Sequence, residues 1–100
     1  MVYEIAVLPV HLERTEAFKR AFSQVESLLT RAEGYDGHLL AQGIESPEQF
    51  NLIVRWRSLK DHSPGFEQSD DHQRFMQGLE AYFSAEPNVY HVEGGAFPGF

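Results

Sequence analysis

Phe18, Ala21, Phe22, Val25, Leu28, Leu29 and Ala32 recur at spacings of three and four, the period of one face of an α-helix. Glu16, Lys19, Arg20, Gln24, Glu26 and Arg31 fall between them, so the opposite face is solvated. A helix of this kind must bury its stripe against a second layer. Gly34, just past the stripe, suits the left-handed position that closes a helix.

The flanking segments change to a period of two. Val2 to Val10 reads as a strand, with Pro9 marking an edge or an end. Tyr35 to Gly43 and Phe50 to Arg57 read as two more, joined by the polar stretch Ile44 to Gln49. Pro47 in that stretch presets a turn, so these two strands should form an antiparallel hairpin. Ser58-Leu-Lys-Asp61 has the spacing of a helix start, and Ser63-Pro-Gly65 interrupts what begins there. Ser69 or Asp70 then caps a second helix, with Phe75, Met76, Leu79, Tyr82 and Phe83 as its stripe. Pro87 ends it, and Asn88 to Glu93 supplies a fourth strand.

The order strand, helix, strand, strand, helix, strand is the split βαβ arrangement of an α+β, ferredoxin-like fold. Two main helices should cover one face of an antiparallel sheet. The other face carries apolar residues and needs a cover, for which a second copy of the chain is the natural candidate. Residues 1–93 form the expected domain, and 94–100 a C-terminal tail with two aromatics that either docks or frays.

Composition narrows the partners. The 100 residues suit one domain. Eight basic against 15 acidic residues give a net charge of −7, and the Lys and Arg are scattered. Neither nucleic acid nor an anionic membrane is therefore expected as a partner. With no cysteine in the chain, disulfides, thiolate metal sites and cysteine nucleophiles are excluded. The N-terminal run is too short for a signal peptide and no later run would span a bilayer, so a cytoplasmic location is expected.

The stretch Trp56-Arg-Ser-Leu-Lys-Asp-His62, followed by Ser69-Asp-Asp-His72-Gln-Arg-Phe75, resembles the antibiotic biosynthesis monooxygenase family. The first helical stripe, Glu33-Gly34-Tyr35 and Pro87-Asn-Val89 fit the same pattern, and the resemblance covers about Val2 to Glu93. It implies a homodimeric α/β barrel. For the characterised enzymes it also implies oxidation of small aromatic, phenolic or quinol-type compounds by dioxygen without a cofactor. A tryptophan matching Trp56 lines the pocket of the family's polyketide oxygenases. Those enzymes also carry an asparagine four residues earlier, where this chain has Leu52. Haem-degrading relatives use an asparagine on the first strand, and Val2 to Val10 contains none.

Such chemistry asks the protein for a base, a donor to developing negative charge and a dry pocket. Histidine is the natural base near neutral pH. His72, at the start of the second helix beside its apolar face, and His62, in the segment before it, are the candidate catalytic residues. Trp56, Phe66, Phe75 and Phe22 are candidate walls of a substrate pocket, and His38 on the second strand a further candidate. Each has a plainer reading: Trp56 as core, His72 as a helix-surface residue, His38 and His62 as structural or solvent-facing. His11 and His91 look unrelated to one another. No His-x₃-His or His-x-His pair suggests a metal, and no glycine-rich phosphate loop suggests a nucleotide, so no metal and no cofactor are expected. Two other functions stay open: a non-catalytic dimer that binds a small hydrophobic ligand or a partner, which Leu52 favours, and an isomerase or lyase on the same scaffold.

Overall fold

A computed structural model describes residues 1–96. Its strands are β1 (Val2–Pro9), β2 (Tyr35–Gln42), β3 (Gln49–Trp56) and β4 (Asn88–Glu93), and its main helices are α1 (Thr15–Thr30) and α2 (Asp70–Gln77). The strands form one sheet in the order β2-β3-β1-β4, every neighbouring pair antiparallel. This is the expected ferredoxin-like arrangement.

The phase of each strand decides what meets the helices. Phe50, Leu52, Val54 and Trp56 are all buried, alternating along β3 as period two requires. Ala6, Leu8 and Val10 join them from β1, and α1 lays Phe18, Ala21, Phe22, Leu28 and Leu29 onto this surface. Phe18 and Phe50 pack with ring centroids 4.8 Å apart. Phe75 of α2 and Leu79 complete the core.

Two boundaries differ from the sequence expectation. First, α1 ends at Thr30, because Ala32 N–H bonds Leu29 C=O and tightens the last turn. Gly34 (φ +82°) serves the turn into β2 rather than the helix cap itself. A Cβ there would collide with the Asp61 side chain, so the position needs glycine for its space as well as for its φ. Second, α2 stops at Gln77. Tyr82 lies in a separate 3₁₀ turn, Glu80–Tyr82, and Phe83 bridges to Val10. The stripe of Phe75, Met76 and Leu79 continues into residues that only look periodic. Ser69 caps α2 as anticipated, its hydroxyl accepting from His72 N–H at 3.1 Å.

The other sheet face is open. Ile5, Val7, Ile53 and Leu39 share it with Tyr90 and Val92, and Leu39, Tyr90 and Val92 are exposed. At the end of the chain, Gly94 exchanges backbone hydrogen bonds with Met1, and Tyr3 Oη donates to Gly95 C=O at 2.8 Å. The last tail residues, including both aromatics Phe97 and Phe100, lie outside the described residues. No helix among the described residues is long and apolar enough to cross a membrane.

Candidate active site

Sheet register builds the site. Glu4 of β1 stands opposite Val54 on one side and His91 on the other. Directly opposed residues share a face, so the Glu4 carboxyl and the His91 imidazole both point toward the helices. The sequence signal was a lone acid in the buried phase Val2, Glu4, Ala6, Leu8. Neither Glu4 nor His91 stands out by motif.

After β3 the chain turns over the sheet through an irregular helical segment, Asp61–Gly65. Arg57 and Ser58 both bond the Asp61 carboxylate, which fixes the start of this segment. His62 is thereby pressed onto the Trp56 indole, with centroids 5.2 Å apart and planes 24° from parallel. Its Nε2 lies 3.3 Å from Glu4 Oε1, and its Nδ1 lies 2.8 Å from His91 Nε2. Trp56 Nε1–H donates to the same Glu4 oxygen at 3.1 Å. Among the described residues, Glu4 and His62 are the two buried polar side chains.

Burial sets their proton affinities. It pushes the Glu4 carboxyl up from 4.5 to about 7, partly offset by the Trp56 hydrogen bond and reinforced by the Glu67 charge. It pulls His62 down from 6.5 to about 4, with the His91 and His72 charges acting the same way and Glu67 opposing them. His72 is also lowered by burial, against an opposing effect of Glu67. Near neutral pH both imidazoles are uncharged and Glu4 is balanced between its two forms.

Glu4 and His62 line a cavity of about 280 Å³ between the sheet and α2. Leu52, Phe66, Phe75 and Leu79 give it apolar walls, and His72 also lines it, edge-on to Phe66 at 5.2 Å. Glu67 and Glu86 line it too and are exposed, so the cavity communicates with solvent. An apolar cavity of 150 Å³ suffices for benzene; this one accommodates a molecule of one or two rings.

The structure therefore brings together His62, His72, Phe66 and Phe75. Trp56 stands behind His62, fully buried, and does not line the cavity. Phe22 backs Phe75, with centroids 5.9 Å apart. His38 sits elsewhere, its Nδ1 2.6 Å from Tyr35 Oη and its Nε2 2.7 Å from Glu26 Oε2. Among the described residues no group of three or more His, Asp or Glu is placed to hold a metal ion.

The family model for antibiotic biosynthesis monooxygenases matches residues 1–78. The chain belongs to the antibiotic biosynthesis monooxygenase family. The uncharacterized protein YczJ of Bacillus subtilis strain 168 is 30% identical over 93 residues, which is 93% of this chain and 98% of YczJ. A structure from Bordetella bronchiseptica, assigned to the same monooxygenases, superposes with a TM-score of 0.89 at 30% identity, covering 95% of this chain and 97% of its own. SnoaB from Streptomyces nogalater, described as a cofactor-independent oxygenase, shares the fold with a TM-score of 0.77 at 15% identity, over 97% of this chain and 96% of its own.

Proposed function

We propose that this monooxygenase-family chain oxidises a small aromatic substrate of phenolic, quinol or anthrone type with dioxygen and without a cofactor. The observation that carries this reading is the meeting of an apolar cavity with a buried carboxyl, Glu4, whose proton affinity lies near neutral pH. A base tuned to the working pH is what proton abstraction from carbon requires. The name given to SnoaB supports the reaction class through shared fold.

The chemistry closes on its own atoms. For a substrate of anthrone type, an activated ring CH₂ gives a proton to the Glu4 carboxylate and becomes an electron-rich anion. That anion passes an electron to dioxygen, and the radical pair combines into a carbon–oxygen bond. Loss of the second hydrogen as a proton, with cleavage of the O–O bond, leaves C=O on the ring and water. The substrate loses four electrons and dioxygen gains them. His72, which lines the cavity and whose uncharged form is favoured by burial, is the hydrogen-bonding group available to the peroxide oxygens. Leu52 lines the cavity where the polyketide oxygenases carry asparagine, which leaves that task to His72.

Leu52 favours a second reading, a non-catalytic domain that binds a small hydrophobic ligand, and a third is proton transfer without oxygen, with Glu4 as the same base. Aerobic and anaerobic incubation with a panel of anthrones and hydroquinones decides between them. The first reading expects oxygen uptake with product, lost in Glu4→Gln. Turnover without oxygen selects the isomerase, and no turnover under either condition leaves a ligand-binding domain.

The same proposal includes a homodimer. Ile5, Ile53 and Leu39 with Tyr90 and Val92 make a contiguous apolar sheet face, a feature that monomers of this size seldom leave uncovered.

A further inference from the structure

We infer that Glu4, His62 and His91 form a proton relay joining the cavity to solvent at the edge strand, with His91 as its outer station. The inference rests on the oxygenase reading for its purpose and on side-chain geometry for its existence.

Three observations support it. Glu4 and His62 line the cavity, whereas His91 does not. Glu4 Oε1, His62 Nε2, His62 Nδ1 and His91 Nε2 follow one another through one imidazole ring, the first gap a close contact of 3.3 Å and the last a hydrogen bond of 2.8 Å. His91 lies on β4, an edge strand, and is partly exposed. Among the described residues none hydrogen-bonds its Nδ1. A buried carboxyl and two imidazoles set in line to the surface exceed what packing needs. A leucine at His62 would fill the same space against Trp56 without a polar group to satisfy.

The line has two self-consistent proton arrangements. In the loaded one, Glu4 carries O–H, His62 carries Nδ1–H and donates it to His91 Nε2. Transfer breaks the Glu4 O–H bond and forms His62 Nε2–H. It breaks His62 Nδ1–H and forms His91 Nε2–H, and the Nδ1 proton of His91 leaves to water. Glu4 is then a carboxylate that accepts from Trp56 Nε1–H and has His62 Nε2–H in close contact. No electrons move. The proposed oxidation takes a proton from carbon first and needs one at the departing oxygen later. The relay therefore runs outward and then inward, and both imidazoles return to their starting tautomer without turning.

Other charges face this line. Glu67 from the turn before α2, His72 from α2 and Glu86 before β4 all line the cavity. Their titration adds to any pH profile, so the test must read the relay atoms directly.

The first test is ¹⁵N NMR of the imidazoles in the substrate-free protein between pH 5.5 and 8.5. Expected is a switch of His62 from Nδ1–H to Nε2–H, accompanied by His91 and tracking the Glu4 carboxyl, and absent in Glu4→Gln. One His62 tautomer held across the whole range would overturn the relay, whether or not a substrate is ever found. The second test is His91→Ala with an anthrone that the wild type turns over. Its kcat should fall about tenfold at unchanged KM and recover on adding free imidazole. An unchanged kcat that ignores imidazole refutes the relay while leaving the oxygenase reading intact. A tautomer switch with no turnover of any substrate does the reverse.

Discussion

Replacing Glu4 by glutamine keeps the side chain's shape and an oxygen for Trp56 Nε1–H, but removes its titration. In the folded chain Glu4 holds its proton up to about pH 7, against an ordinary value of 4.5. Between those values the folded state binds more protons than the unfolded chain, so this group's contribution to stability falls as pH rises through the window and is level above it. About 1.4 kcal/mol per pH unit across that window amounts to about 3 kcal/mol. His62 has the opposite sign. Its value drops from 6.5 to about 4, so the unfolded chain binds the extra proton and stability falls as pH decreases through that window, again by about 3 kcal/mol. In the wild type the two slopes largely cancel between pH 4.5 and 6.5. Glu4→Gln leaves only the His62 slope, and its stability should climb by about 3 kcal/mol from pH 4 to 6.5. Urea unfolding at pH 4.5, 5.5, 6.5 and 8, at one protein concentration, reads this directly. Parallel wild-type and variant profiles would refute the burial argument for Glu4.

Other substitutions probe the remaining contacts. Trp56→Phe removes the N–H that favours the Glu4 carboxylate, so Glu4 should titrate still higher, seen as an upward move of its ¹³C carboxyl midpoint; an unmoved or lower midpoint counts against the hydrogen bond. Gly34→Ala combines a left-handed φ with a collision against Asp61, and should cost about 1–3 kcal/mol in chemical denaturation; a neutral result would mean that the turn adapts. Ile53→Lys puts a charge in the middle of the open sheet face and should halve the mass seen by light scattering while leaving circular dichroism unchanged; a wild type that is already monomeric removes the basis for the dimer.

Much of the fold follows from local rules that one chain displays openly. The α1 stripe, the period-two strands, the Pro47 hairpin and the Ser69 cap are spaced by backbone geometry, and the observed elements follow them. The end of α2 was not legible, because Tyr82 and Phe83 fit helical spacing while the chain had already left the helix at Gly78. His62, His72, Phe66 and Phe75 were legible as a cluster because they lie close together in sequence, on one passage over the sheet. Glu4 and His91 were not. They are far apart in sequence, and they become neighbours only when β4 returns to pair beside β1. The shared face and the 2.8 Å His62–His91 contact are set by register, which no local pattern encodes. Proton affinity is decided at the same level, since a carboxyl's environment in the core depends on which layers close over it. Residue type and spacing therefore determined the elements and the family, and packing alone decided that Glu4 faces a cavity and His91 faces Glu4.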